Sequence, residues 1–301
     1  MGVVRAAPTT LSRSLMIFGN LLLVGLATWV YWPIFVSLVQ TWWSEPEYSH
    51  GYVVALFSAY LLYRNRGKLQ QGQPRTSWWG VPVLAAALGL YLFGAYVGID
   101  YLAAVSLVPC CLGLALLLGG WTAVKWSAPA SLFLLFLIPL PFRVARALAT
   151  PLRGIATKTS GYALQVLGFP VIVEGFTLRL DDYQIAIAEA CSGLSMLYVF
   201  VALAAAVVIV SKRPILDRAL ILVGALPIAV VANVLRIILT AVAFSVAGKE
   251  AGEFIFHDLA GWLMMPIALG LMYLELKLID VILVPTSRPP QEESLIPALR
   301  L

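Results

Sequence analysis

Three residues have side chains that together can carry out covalent chemistry: Cys191 in EACSGL, Arg236 in NVLRI and His257 in FHDLAGW. A thiolate is a strong nucleophile, and unpaired amides at the start of a helix lower the pKa of a cysteine placed there. Histidine is the side chain best suited to exchange protons near neutral pH, as a thiol nucleophile and an amine leaving group both require. Arginine offers a fixed charge and a rigid fork of donors for a carboxylate or a developing oxyanion. Each has a plainer reading on its own. A lone cysteine among apolar residues is most often a small buried hydrophobe, and a histidine or arginine at the end of an apolar run is commonly an interfacial residue. Whether the three meet depends on the elements that carry them.

Of the 301 residues, 61% are hydrophobic and only 12% are charged, whereas a soluble domain is about 25% charged. A bilayer core about 30 Å thick asks for about 20 apolar residues per helix. Apolar runs recur at 15–38, 51–63, 78–97, 101–118, 126–142, 192–210, 219–246 and 259–283. The expected fold class is an all-α polytopic membrane protein with about eight transmembrane helices, because backbone amides in hydrocarbon must be satisfied within their own segment. The second run is short and needs residues before Gly51 to complete it. The first is too long for a signal-peptide core and has no small-residue cleavage site, so it reads as a retained span.

Basic residues set the orientation. Arg5 and Arg13 precede the first span, and Arg64, Arg66, Lys68 and Arg75 separate the second from the third. Lys125 lies between the fourth and fifth, and Lys212, Arg213 and Arg218 between the sixth and seventh. The positive-inside rule makes that side cytoplasmic and puts both termini there. The opposite side receives the loop 40–50, with Glu45 and Glu47 and no basic residue, and the long segment 143–189. That segment carries Arg143, Arg146, Arg153, Lys158 and Arg179 against the rule, but long loops count for less than short ones. Its first part, 144–167, reads as an extracytoplasmic amphipathic helix lying on the headgroups. Its second part alternates Phe176, Leu178 and Leu180 with a turn at Asp181 and Asp182 and then Tyr183, Ile185 and Ile187, a small β-hairpin just before span six. Residues 1–284 are expected to form a single integral membrane domain, with 285–301 a flexible cytoplasmic tail.

This topology sends the three reactive side chains to one surface. Cys191 stands at the outer mouth of span six and His257 at that of span eight. Arg236 lies 18 residues beyond Arg218, about 27 Å further along a helix rising 1.5 Å per residue. Around them, Glu189 is placed to orient His257 or Arg236, or to cap the helix. Ser192 suits an N-cap or a donor beside the thiol, and Ser195 a donor beside the thiol. Asn233, three residues before Arg236 and on nearly the same face, lines a cavity or packs between helices. His50, at the outer end of span two, borders the site or sits at the interface, and Asp258 caps span eight. Other chemistries are excluded by composition. A net charge of +5, spread over short inter-helix segments, fits membrane orientation and no nucleic-acid partner. Three cysteines, two of them adjacent at Cys110 and Cys111, form no disulfide framework, and two histidines preclude a histidine-rich metal site. No metal or organic cofactor is expected.

At these residues the sequence resembles the exosortase/archaeosortase family of membrane transpeptidases. The resemblance rests on EACSGL, on NVLRI, on His257 before the last span, on YSHGY at 48–52 and on PLPF at 139–142. It implies that Cys191, Arg236 and His257 match the family's catalytic triad. The histidine, where archaeal relatives commonly have arginine, implies a bacterial member in the cytoplasmic (inner) membrane with its active site on the extracytoplasmic side. The implied partners, besides membrane lipid, are exported proteins ending in a short motif such as Pro-Glu-Pro, a transmembrane helix and a basic cluster. The implied reaction is acyl transfer through a thioester on Cys191, with His257 and Arg236 able to exchange some duties; acceptor and oligomeric state stay open. Two other classes compete. One is a transporter or polysaccharide-export component in which Arg236 binds an anion at midplane, which calls for a polar pathway through several spans. The other is a thiol-dependent acyltransferase acting on lipid.

Overall fold

A computed structural model describes residues 10–45, 48–71, 75–180, 183–187, 193–254 and 260–282. The chain divides into two compact units, Met1–Pro151 and Leu152–Leu301, and is mostly helical. Among the described residues, three stretches are long and apolar enough to cross a membrane: Gly80–Val97, Asp100–Leu137 and Ile215–Gly248. A bent pair, Phe18–Val30 with Trp32–Ser44, makes a fourth if it is one span.

The first unit begins with α1 (Thr10–Val30) and α2 (Trp32–Ser44), then α3 (Gly51–Arg64), α4 (Arg66–Gln71), α5 (Gly80–Val97), α6 (Asp100–Val105) and α7 (Leu107–Phe133). The expected first span, 15–38, is interrupted: α1 and α2 meet at a bend of 51°. Pro33 stands in the first turn of α2, where a missing N–H is harmless, whereas inside a continuous helix its ring would clash with the carbonyl four residues back. Tyr31 at the bend is buried, and its hydroxyl lies 2.8 Å from Ser106 Oγ. Ser106 spends its own proton on the Ala103 carbonyl at 2.6 Å, so Tyr31 donates. The next break falls at Gly120, with φ 64° and ψ −158°, inside the gap 119–125 expected between the fourth and fifth spans, while Lys125 itself is helical. That region of backbone space is open to glycine almost alone, and a Cβ there would collide with the Arg75 carbonyl oxygen.

The second unit starts within α8 (Phe142–Val166) and continues with β1 (Val171–Glu174), β2 (Thr177–Leu180), β3 (Tyr183–Ala186), α9 (Leu194–Val210), α10 (Ile215–Phe254) and α11 (Ala260–Ile282). The strands form an antiparallel sheet in the order β1-β2-β3, with Leu180 opposite Tyr183 and Val171 opposite Leu180. The sequence reading contained β2 and β3 as a hairpin and lacked β1. Alternation along the strands gives the sheet one apolar face: Val171, Leu178, Leu180 and Ile185 join Ala156 and Leu164 of α8 and Ile237 and Ala241 of α10 in one core. A second core lies among α9, α10 and α11, built from Phe200, Ala204, Ile221, Ala225, Ala229, Ala232, Met272 and Ile279. Ala225, Ala229 and Ala232 recur at helical spacing on one face of α10, where small side chains let neighbouring backbones approach. Arg213, between α9 and α10, makes a forked contact to Asp280 of α11 at 2.6 and 3.1 Å and lies 3.7 Å from Asp217. Such exposed pairs contribute about 1 kcal/mol or less, so this clamp sets geometry more than stability. A further break at Gly248, with φ 83° and ψ −174°, falls just past the expected end of span seven.

Two substitutions test these elements. Gly120→Ala combines a strained backbone, about 1–3 kcal/mol, with the Arg75 collision, and is expected to lower the thermal midpoint of the detergent-purified protein measurably. Leu178→Ala, at the centre of the sheet core, is expected to cost about 2–5 kcal/mol. Melting curves indistinguishable from the parent protein would contradict the glycine argument in the first case and the packing argument in the second.

Candidate active site

The entry to α9 is shaped by a single glycine. Gly193 immediately precedes the helix with φ 83° and ψ −2°, a conformation that strains any residue with a Cβ. Its carbonyl accepts the first helical bond, from the Leu197 amide at 2.8 Å. Gly193 is buried against Asn233 of α10: a Cβ on it would lie 3.0 Å from Asn233 Nδ2 and 3.2 Å from Cγ. Backbone conformation and close approach thus both demand glycine. Leu152, Ala156, Leu197, Ala229 and Val230 complete the surroundings, and the space left is about 10 Å³, close to what one water needs and far too small for a peptide. This junction joins elements; it does not hold substrate.

Asn233 is 1% exposed, and Arg236 follows it by three residues, about 4.5 Å along the helix axis at the usual rise. Arg236 is half-buried, flanked by the buried residues Asn233, Ile237 and Thr240. α8 approaches at the same level, where Ser160, fully buried, donates to the Val234 carbonyl at 3.4 Å. A guanidinium here supplies a permanent positive charge and several donors, and takes no part in proton exchange near neutral pH.

Of the residues singled out in the sequence, Asn233 and Arg236 therefore share one stretch of α10. His50 belongs to the other compact unit: it directly precedes α3, is buried, and has its ring 6.4 Å from that of Tyr48. Cys191, Ser192, Glu189 and His257 lie outside the described residues, as does Asp258. Ser195 falls in the first turn of α9. Among the described residues no group of His, Cys, Asp and Glu is assembled as metal ligands.

The sequence reading missed two participants in this region. Gly193 carried a usable signal, a glycine between a serine and a long apolar helix. Arg153 carried none. Its guanidinium carbon stands 3.9 Å over the Phe176 ring, a cation–π contact, and its neighbours on α8, Leu152 and Ala156, line the Gly193–Asn233 junction. Nothing in the local sequence links an arginine on α8 to the turn between β1 and β2.

No curated protein and no solved structure matches the chain. The transmembrane exosortase family model matches residues 42–274, well over half of the chain. The match begins within α2, ends within α11, and takes in His50, Gly193, Asn233 and Arg236 together with the segments that carry Cys191 and His257. The chain belongs to the transmembrane exosortase family.

Proposed function

We propose that this protein is a membrane-embedded cysteine peptidase and transpeptidase that cleaves C-terminal sorting signals from exported proteins and passes them to an acceptor. The single observation that carries the reading is the contact of Gly193 with Asn233. It joins the cysteine-bearing EACSGL segment to the arginine-bearing helix across a separation of 40 residues in sequence. Cys191 precedes Gly193 by two residues in the sequence, and Arg236 follows Asn233 by three on α10, which supports pairing the two in one site.

In the proposed reaction the Cys191 thiolate attacks the scissile carbonyl carbon, and its oxygen becomes an oxyanion held by Arg236. His257, protonated, gives its proton to the departing amine as the carbon–nitrogen bond breaks, leaving a thioester. An acceptor nucleophile then loses a proton to His257, attacks the thioester and releases the thiolate. Glu189 orients His257 or Arg236, Ser192 donates to the thiolate, and Asn233 fixes the turn at Gly193. The site faces the extracytoplasmic side of a bacterial inner membrane in an eight-span chain with both termini cytoplasmic. Residues 1–284 act as one catalytic domain. The substrates carry a Pro-Glu-Pro-like motif, a transmembrane helix and a basic cluster.

The decisive experiment coexpresses the parent enzyme or Cys191→Ala with an exported protein bearing such a tail, and compares processing by gel and mass spectrometry. Loss of the nucleophile is expected to abolish processing, a fall of at least about 1,000-fold. Equal processing in both would return the protein to the non-enzymatic transport or export class. Arg236→Lys keeps the charge but loses the planar fork and is expected to slow processing about 100-fold. Gly193→Ala, which strains the turn and presses on Asn233, is expected to reduce processing while leaving membrane insertion unchanged, as followed by fractionation.

A further inference from the structure

The chemistry proposed above leaves a cavity in the first unit unused. α3 and the two segments of α7 on either side of the Gly120 break border an open groove of about 630 Å³, within the range of about 300–1,000 Å³ typical of small-molecule sites. Its origin is visible in the sequence. Every fourth residue from Cys111 to Ser131 is small: Cys111, Ala115, Gly119, Ala123, Ser127 and Ser131. Helices with such stripes normally close on one another, but here a strut holds them apart: Trp126 donates its indole N–H to the Leu62 carbonyl of α3 at 2.8 Å.

Three features define what fits. First, no charged side chain lines the cavity, which disfavours an ion or a sugar phosphate inside it, since burying unpaired charge is costly. Second, Ser58 and Ser127 line it at 5% and 6% exposure, and their hydroxyls have no hydrogen-bond partner among the described residues. A helical serine commonly returns its proton to the carbonyl four residues back; these two are available to an acceptor brought by a ligand. Third, Leu69 of α4 lines the groove together with Leu62 and Trp126. The chain beside Leu69 carries the exposed cations Arg64, Arg66 and Lys68 and no carboxylate. Ser58 stands six residues before Arg64, about 9 Å along the helix, a gap that the long arginine side chain can bridge. An uncharged chain, one or two acceptor oxygens and an anion within reach of those cations describe a glycerophospholipid. A peptide helix fits poorly, because a cylinder at least 10 Å across would fill this volume in little more than one turn.

We propose that the cavity is a phospholipid site. One acyl chain lies between α3 and α7, its ester carbonyl accepts from Ser58 and Ser127, and the phosphate rests at Arg64, Arg66 and Lys68. The site is independent of the peptidase reading, since none of these residues takes part in that mechanism.

The test reconstitutes the full chain into phosphatidylcholine vesicles containing phosphatidylglycerol with a diazirine on its acyl chain. Half of each sample is irradiated in vesicles and half after transfer to detergent, and adducts are mapped by mass spectrometry. Adducts on Ser58, Ala59, Ala115 and Ser127 are expected in both halves. Adducts on the outward-facing Leu56 and Leu132, 72% and 52% exposed, are expected in vesicles only. Filling the cavity from opposite walls, with Ala59→Trp or Ala115→Phe, is expected to remove the retained adducts at least ten-fold while the melting curve shows a folded protein; two walls are used so that one misfolded variant leaves the other informative. Ser58→Ala with Ser127→Ala is expected to weaken retention about ten-fold, and Arg66→Gln with Lys68→Gln to erase the preference for phosphatidylglycerol over a phosphatidylcholine probe. Adducts confined to Leu56 and Leu132, or retention that either filled variant leaves intact while folded, overturns the proposal.

Discussion

Between helices in hydrocarbon, hiding a leucine from lipid gains little, since lipid tails are as apolar as the side chain. Association rests instead on close packing and on polar groups that meet. α10 is built around that constraint. One of its faces presents the buried alanines Ala225, Ala229 and Ala232 to α9 and α11, and another presents Ile237 and Ala241 to α8 and the sheet. Asn233 sits where these faces adjoin, with Ala156 of α8 and Leu197 of α9 around the same small space. Gly193 extends the logic to the backbone: with no side chain, the turn into α9 lies directly on the amide of Asn233. A bulkier residue at any of these positions would move α8, α9 and α10 apart.

The same constraint explains which parts of the fold were legible in the sequence. Runs of apolar residues found most of the helices, because helix is the one local way to satisfy a backbone in lipid. The ends of α5 and α9 fall close to the limits of those runs, whereas α10 starts four residues before its run and ends eight beyond it. The breaks were less legible, because hydropathy changes little across them. The gap 119–125 between the fourth and fifth apolar runs contains Gly120, but the residue that makes the break there shows only in its conformation and in the nearby Arg75 carbonyl. Pro33 was a local signal for the bend between α1 and α2 that the long apolar run obscured. In the sheet, β2 and β3 announced themselves by alternation about a polar turn. β1 is four residues long, and its signal was the glycine after it: Gly175, with φ 62°, begins the two-residue turn that pairs Glu174 with Thr177.

At the candidate site the sequence supplied residue types, and only the fold supplied adjacency. Asn233 and Arg236 could be linked in advance because helical spacing places them together. The link from Gly193 to Asn233 could not, since no periodicity connects the start of one helix to the middle of the next. Arg153 illustrates the same limit. In the sequence it was one of several cations on an amphipathic segment that ran against the charge rule. In the fold its guanidinium carbon stands 3.9 Å over the Phe176 ring, so part of that charge is committed to the contact between α8 and the turn of the sheet.

Those fixed cations also constrain how the proposed reaction divides its labour. An arginine cannot surrender a proton at neutral pH, so Arg236 can stabilise negative charge throughout the cycle without ever acting as acid or base. The proton that leaves with the amine must come from a group titrating near neutrality, and His257 alone among the three proposed catalytic residues meets that condition. The thiol needs the opposite treatment: it must be held as thiolate, which a nearby permanent cation favours and an apolar environment opposes. A guanidinium one helical turn from Asn233 answers that need in surroundings where α8, α9 and α10 are otherwise lined with alanine, leucine and isoleucine. On this reasoning Arg236 does its first work before substrate arrives, by keeping the nucleophile charged, and its second when the oxyanion forms. A lysine in its place would supply the charge for the first task, but without the planar fork that the second requires.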